Sequence, residues 1–463
     1  MKGLLISAAH KSSGKTTITV GLCAALAARG LHVQSYKKGP DYIDPMWLAQ
    51  ASGNPCFNLD PYLQSASVIA HEFTRHSHDA DIHIVEGNKG LYDGLALDGS
   101  NSNAALAKML NLPVVLVLDA RGMTRGIAPL ILGYQAFDPA VKIAGVILNQ
   151  LGGSRHESKL RAVIEHYTDV TVLGAVAHDP QLAVVERHLG LMPHHEMGDA
   201  DARIRAIGNC IADQVDLEKI LLVSASANAY VSSVSASYSP LVSSKLSKNI
   251  RIGVARDKAF GFYYPDDCLA LEAAGAALIP FDTLNDTEPP AVDALFIGGG
   301  FPEMFMPELA ANISMRESIR SLIEGGMPAY AECGGLMYMA RSIAWNGQSY
   351  PMVGALPMDI AMHAKPVGRG YVALRPRAEA LWSADTDNET QTVRGHEFHY
   401  SSIENADSSL RYAYDVVRGY GCNGQCDGII HRHLLANYAH LRSATGSHWA
   451  QRFVEFIQFT LRR

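Results

Sequence analysis

Two short stretches of this 463-residue chain hold residue types able to do chemistry together. In the first, Ser12-Ser13-Gly14-Lys15-Thr16-Thr17 lies between the apolar run Leu4-Leu5-Ile6 and a helical pattern. Backbone N–H groups at a helix N-terminus bind phosphate, the lysine neutralises it, and the next hydroxyl can hold Mg²⁺. Ser12, Ser13, Gly14, Lys15, Thr16 and Thr17 are therefore expected to bind ATP, with Thr16 also a metal ligand. The loop departs from the usual pattern where Ala9 stands in place of the first glycine; where the deviant form of this loop has a signature lysine, five residues before Lys15, this chain has His10, with Lys11 one place late. In the second stretch, Cys333 follows the run Pro328-Ala329-Tyr330-Ala331-Glu332 and precedes Gly334-Gly335. A strand turning sharply into a helix there exposes the thiol and aims the Gly334 N–H at an oxyanion, giving a nucleophile for an amide carbonyl. Gly298-Gly299-Gly300 ends another apolar run, and Gly300 is expected to give the second oxyanion donor.

Each centre needs further groups. Lys37-Lys38-Gly39-Pro40-Asp41-Tyr42-Ile43-Asp44 places two cations before two carboxylates, Glu86 ends an apolar run, and Asp93 follows in a glycine-rich turn. Downstream of a phosphate loop these read as metal and substrate ligands: Asp41 and Glu86 toward Mg²⁺, and Lys37, Lys38, Asp44 and Asp93 toward substrate. Asn149, after the run Val141 to Leu148, is a candidate for nucleobase recognition. A base for the thiol is required, and among 19 histidines His440, His396, His399, His431 and His433 are rivals that composition does not separate. Cys422, Cys426, His431 and His433 also raise a zinc site, but three residues between the cysteines and one between the histidines are off the usual spacings. Arg121, Arg125, Arg155 and Arg187 join Lys37 and Lys38 as cations in loops after expected strands, suited to a polycarboxylate.

The elements that must position these groups are legible as alternation of apolar runs and helical patterns, which signals a largely parallel sheet. Strands are expected at Leu4–Ile6, Ile82–Val85, Val114–Leu118 and Val141–Leu148, with a helix over Thr16–Arg29 stopped by Gly30. Residues 224–249 hold ten serines and no acidic residue, which reads as a linker. Residues 1–223 then form an ATP-binding domain, and a second α/β domain covers 250–463, starting at Ile250-Arg251-Ile252-Gly253-Val254. The length itself predicts two domains.

Composition narrows the class. Hydrophobic content of 48% and aromatic content of 8% suit a globular α/β protein, and a net charge of −7 argues against a nucleic-acid partner. Seven dispersed cysteines suggest reduced thiols in a cytoplasmic protein. The run Leu4–Ala9 is cut by His10, Lys11 and Lys15, so it does not read as a signal peptide, and no apolar stretch is long enough for a membrane span. The stripe Phe453, Phe456, Ile457 and Leu461 is expected to pack on its own domain rather than on a membrane.

With these motifs in order, the chain resembles the cobyrinic acid a,c-diamide synthase family over nearly its whole length. The resemblance rests on residues 13–17, Gly-Pro-Asp-Tyr-Ile-Asp-Pro at 39–45, Glu86-Gly87, Asp93-Gly94 and Glu186-Arg187-His188-Leu189-Gly190-Leu191. It continues in Gly298 to Glu303, Ala331 to Leu336, Gly395-His396-Glu397-Phe398-His399-Tyr400 and Tyr438-Ala439-His440. It implies a dethiobiotin-synthetase-like P-loop domain joined to a class I glutaminase domain, with glutamine, ATP and a tetrapyrrole polycarboxylate as substrates and a homodimer allowed. ATP would phosphorylate a side-chain carboxylate of cobyrinate or hydrogenobyrinate, and ammonia from glutamine would displace the phosphate. By position, Cys333 is the nucleophile, His440 raises its nucleophilicity, and Arg187 and His188 join the substrate-orienting groups. Ordinary class I glutaminases carry a glutamate two residues after the histidine; here that residue is Arg442, so a Cys–His dyad, or a triad with a distant acid, is expected. The His10-Lys11-Ser12-Ser13 loop points to the same chemistry on sirohaem or nickel-sirohydrochlorin as an alternative. The non-enzymatic alternative, a P-loop switch or partitioning ATPase, has no use for Cys333, Gly334 and His440.

Overall fold

A computed structural model describes residues 2–76, 79–180, 186–187, 190–191, 193, 196–227, 250–382, 392–445 and 447–462. The chain divides into two compact units, Met1–Ser239 and Pro240–Arg463.

In the first unit, strands β1 (Gly3–Ala8), β2 (Val33–Lys38), β3 (Phe57–Leu59), β4 (Ile82–Glu86), β5 (Val114–Asp119), β6 (Ile143–Leu151) and β7 (Val172–Ala177) form one sheet. Its order is β3-β2-β4-β1-β5-β6-β7, with every pairing parallel. Helices on both faces bury the strands from two sides, which is why β1 and β4 read as unbroken buried runs rather than alternating ones. β1 is flanked by β4 and β5, reached by connections running in opposite directions, and such a switch point opens a crevice at the carboxyl ends of the strands. The P-loop, Lys37, Lys38 and Glu86 all lie at those ends.

Helix α1 (Lys15–Ala28) begins where expected, and Gly30, at φ 81°, follows its end. It is buried on both sides, against the sheet and against Ile207, Gly208 and Ile211 of the helix Ala200–Gln214, so its sequence is apolar almost all round. β6 starts at Ile143, two residues later than expected, because Asp138 caps a turn that accepts the Val141 and Ala140 amides. The helix Leu217–Ala225 takes in Ser224, which is buried, so the serine-rich segment begins inside a helix. Positions 228–249 of that segment lie outside the described residues.

The second unit is built on ten strands. β8 (Ile250–Ala255), β10 (Ala276–Phe281), β11 (Ala294–Ile297), β13 (Ala329–Glu332) and β18 (Leu434–Asn437) are the parallel part. β17 (Cys426–His431), β16 (Arg411–Arg418), β14 (Gly368–Pro376), β15 (Val393–His399) and β19 (His440–Leu441) extend it antiparallel. A two-stranded ribbon pairs β9 (Phe260–Phe262) with β12 (Gly299–Gly300), so the apolar run from Ala294 to Gly300 is two strands rather than one. Helix α2 (Gly334–Met339) follows β13 through Cys333. The C-terminal helix Trp449–Leu461 buries Phe453, Val454 and Ile457 in this unit's core; of the expected stripe, Phe453 and Ile457 are buried, Phe456 is partly buried and Leu461 is exposed.

Candidate active sites

At the nucleotide end, the loop between β1 and α1 is shaped by Ser12 and Gly14, both at positive φ (64° and 82°). Asn149 Nδ2 donates to Ser13 O (2.9 Å), and a Cβ on Gly14 would run into the same nitrogen, so glycine is required there on two counts. Ser13 Oγ donates to His10 O (2.8 Å), closing the loop. Thr17 and Asn149 line one cleft with Gln150, Ala177, His178 and Asp179.

The carboxylates gather around one lysine. Lys37 Nζ lies 2.5 Å from Asp44 Oδ2, 2.8 Å from Glu86 Oε1 and 4.0 Å from Asp41 Oδ2. Thr16 Oγ1 donates to Glu86 Oε1 (2.8 Å) and faces Asp44 Oδ2 (3.3 Å). Burial alone would discharge Lys37, but Asp44, Glu86 and Asp41 outweigh it and hold the ammonium charged. Burial likewise pushes Asp44 up, and the Lys37 charge brings it below its ordinary value. Glu86 stays above its ordinary value, because burial and the Asp44 charge exceed the help from Lys37 and Lys15. Lys15 is lowered by burial and by Lys37.

A protonated amine thus sits where two carboxylates and a hydroxyl converge, a set of hard oxygens that suits a cation. Among the described residues no group of three or more His, Cys, Asp and Glu side chains closes on one metal position. Mg²⁺ commonly takes only one or two carboxylates, the rest of its shell being water and phosphate, so Thr16 and Glu86 fit it, with Asp44, expected at the substrate, beside them in place of the expected Asp41, whose Oδ1 accepts the Ile43 and Asp44 amides (2.9 and 3.2 Å).

Other expected ligands lie apart from this cluster. Lys38 Nζ donates to Asn88 Oδ1 (3.1 Å), and burial lowers it to about 8 against the pull of Asp60. Asp93 Oδ2 accepts the Gly90 amide (2.9 Å) in a turn packed against Ala9, so its shown role is to shape that turn. His188 and the side chain of Arg187 lie outside the described residues.

At the thiol end, Cys333 has φ 49° and ψ −102°, a strained conformation between β13 and α2. The elbow is allowed by glycines: a Cβ on Gly335 would fall on Ile297 O, and one on Gly334 would press on the Gly300 amide nitrogen and carbonyl. Gly334, the residue after Cys333, therefore lies backbone to backbone with Gly300. A Cβ on Gly299 would strike the His440 ring, so that position admits the imidazole.

His440 is buried, hydrogen-bonded to Cys333, with Nδ1 3.4 Å from Glu332 Oε2. Burial would lower its pKa, but the bonds to Cys333 and Glu332 and their charges prevail and raise it to about 10. His396 stacks on His440 at 5.1 Å, opposite it in the β15–β19 register, and is driven well below its ordinary value by burial and by the His440 and Arg442 charges. Arg442, at the position where ordinary class I glutaminases carry an acid, binds Asp266 (2.6 Å) and covers the Tyr264 ring.

The motif around His396 and His399, whose role sequence reasoning does not reach, is a frame for this site. Phe398 O lies 4.0 Å from the Cys333 sulfur, and Glu397 accepts the Tyr420 and Gly421 amides (2.7 and 2.8 Å). His399 stacks on Tyr438 at 3.9 Å, while Asp427 accepts the Tyr438 and Ala439 amides (3.0 Å each), fixing the loop that carries His440. The residues considered for zinc have separate partners: Cys422 with Asp427, Cys426 with Arg377, His431 with Glu324 and His433 with Gly326 O.

Comparison with known proteins defines the class first. Residues 5–191 match the CobQ/CobB/MinD/ParA nucleotide binding domain, and residues 251–446 match the CobB/CobQ-like glutamine amidotransferase domain. A glutamine-dependent carbon–nitrogen ligase with its own nucleotide unit is the class these two matches and the two sites define. The cobyrinate a,c-diamide synthases of Magnetococcus marinus and Methanosarcina acetivorans are each 42% identical to the chain over 98% of it, covering 96% and 94% of their own lengths. That of Methanothermobacter thermautotrophicus is 38% identical over 97% of the chain and 98% of its own length. The chain belongs to the cobyrinate a,c-diamide synthase family. No helix among the described residues is long and apolar enough to cross a membrane, and the seven cysteines are free thiols.

Proposed function

We propose that this enzyme converts the a and c acetate carboxylates of cobyrinate or hydrogenobyrinate to amides, using ATP and glutamine. The observation that carries the reading is full-length identity near 40% to proteins named for that reaction. In the second unit Cys333 attacks the glutamine amide carbonyl while the Gly300 and Gly334 amides take up the oxyanion. His440 protonates the leaving ammonia, and water then releases glutamate from the thioester.

In the first unit the substrate carboxylate oxygen attacks the γ-phosphorus of ATP and ADP leaves. Ammonia then attacks the acyl carbon and inorganic phosphate leaves, forming the amide. Lys15 and the loop amides of Ser12, Ser13 and Gly14 hold the phosphates, and Asn149 and Thr17 border the base. Thr16, Asp44 and Glu86 would hold Mg²⁺, with Asp41 beside them. When bound, Mg²⁺ supplies charge neutralisation for the phosphates. Lys37 balances the buried carboxylates at the substrate side of the site, while Lys38, Asp93, Arg187 and His188 orient the polycarboxylate. The protein acts in the cytoplasm on small molecules, without nucleic acid or membrane.

The test is incubation with cobyrinate, hydrogenobyrinate, sirohaem and nickel-sirohydrochlorin, each ¹⁸O-labelled in its carboxylates. The proposal expects amides on the first two and transfer of one ¹⁸O to inorganic phosphate per amide. Amidation of sirohaem or nickel-sirohydrochlorin alone, or unlabelled phosphate, contradicts it.

A further inference from the structure

We propose that Glu332, the residue immediately before the nucleophile, is the positioning residue of the Cys333–His440 pair, holding the imidazole by Nδ1 in the role that an acid two residues after the histidine plays in ordinary class I glutaminases. The inference rests on the reading of Cys333 and His440 given above. Neighbouring residues on a strand point to opposite faces, so sequence adjacency argues against a shared target. The elbow removes that objection: β13 ends at Glu332, and the positive φ of Cys333 swings its side chain out of the strand alternation. Both side chains then meet one ring, Cys333 by hydrogen bond and Glu332 Oε2 at 3.4 Å from Nδ1, which leaves Nε2 for the thiol.

The two carboxylate oxygens divide their work. Oε1 accepts Tyr330 Oη–H (2.6 Å) and the Leu441 amide (3.0 Å), which anchors the group to β13 and to the residue after His440. Oε2 is the oxygen that faces the imidazole. Asn437 Nδ2 donates to Tyr330 Oη (3.2 Å), so the anchor is itself held. Glu332 is 3% exposed, and a carboxylate this deep is stable only beside a cation or several donors.

The other charged groups around it are engaged elsewhere. From β19 and the residues after it, Arg442 is turned to Asp266 on the helix Pro265–Ala273. Asp267 of that helix accepts the Ser443 amide (2.7 Å), with its carboxyl raised by burial and by the charges of Asp266 and Glu332. From β15, His396 stacks on His440 as a neutral ring, so it adds no second cation. Among the described residues, the ion pair shown for Glu332 is the one with His440.

The experiment is the pH profile of glutaminase kcat/KM for the full-length protein and for Glu332→Gln and Glu332→Asp, with Cys333→Ala as a control. Removing the charge should move the alkaline limb down by about one pH unit or more, and Glu332→Asp, which keeps the charge but withdraws it, should move it less. A rate loss of ten-fold or more is expected for Glu332→Gln. If that variant is not recovered folded, the limb of Glu332→Asp decides in the same sense. Equal losses at every pH with the limb unmoved mean a merely structural role and overturn the proposal, as does an unchanged profile. Glutaminase surviving in Cys333→Ala would instead overturn the reading on which the proposal rests.

Discussion

The buried Lys37 ammonium sets the charge balance of the carboxylates at the nucleotide end. Lys37 neutralises Asp44 and Glu86 in the space where the proposed Mg²⁺ would be held, so ammonium and metal would compete for the same oxygens. Lys37→Met should lower stability by about 3 kcal/mol without metal, because it leaves carboxylates buried and unpaired. Mg²⁺ should then raise the melting temperature of the variant more than that of the parent protein. Equal metal shifts in thermal melts would count against a shared site. At the other end, His440 is raised to about 10, above its ordinary value near 6.5. A raised folded pKa means its pairing stabilises fully below about 6.5 and is lost as pH climbs through about 10. Glutaminase activity should fall over that same upper range, as the proton for the leaving ammonia disappears. A limb near pH 7 would show that Cys333 and Glu332 do not hold the ring charged. Lys15, Thr16, Glu86 and Cys333 were legible from type and spacing. Glu332 was not, because periodicity places it on the far side of the strand from the thiol, and only the backbone turn at Cys333 reverses that.

At the scale of elements, both sites sit at strand ends whose following turn admits little besides glycine. The runs that form β1, β4 and β13 predict themselves, since strands buried on both faces need continuous apolar sequence. The antiparallel extension of the second sheet was silent in the sequence: its strands mix charged and apolar residues, and their partners are distant in the chain. That extension carries His396 and His399, which is why motif matching found them without a role. Gly335→Ala would press a methyl into the Ile297 carbonyl, where backbone cannot yield, and should cost about 1–3 kcal/mol in chemical denaturation. Gly299→Ala meets the His440 ring instead, so it should cut glutaminase turnover about ten-fold or more with little loss of stability. If both substitutions merely lower the melting temperature equally, the assignment of Gly299 to the base is wrong.

For the whole molecule, the proposed function assigns one half-reaction to each of the two compact units, with ammonia passing from one to the other. Lys15→Ala should therefore abolish amide formation from glutamine and from ammonia alike, while Cys333 remains open to alkylation by a glutamine analogue. The most direct measurement of the central claim supplies the enzyme with ATP, cobyrinate and glutamine labelled with ¹⁵N in its amide. The parent protein should place ¹⁵N in the product, and Cys333→Ala should place none, a loss of at least about a thousand-fold, while ammonium salts still support amidation. Continued ¹⁵N transfer by Cys333→Ala would contradict the account.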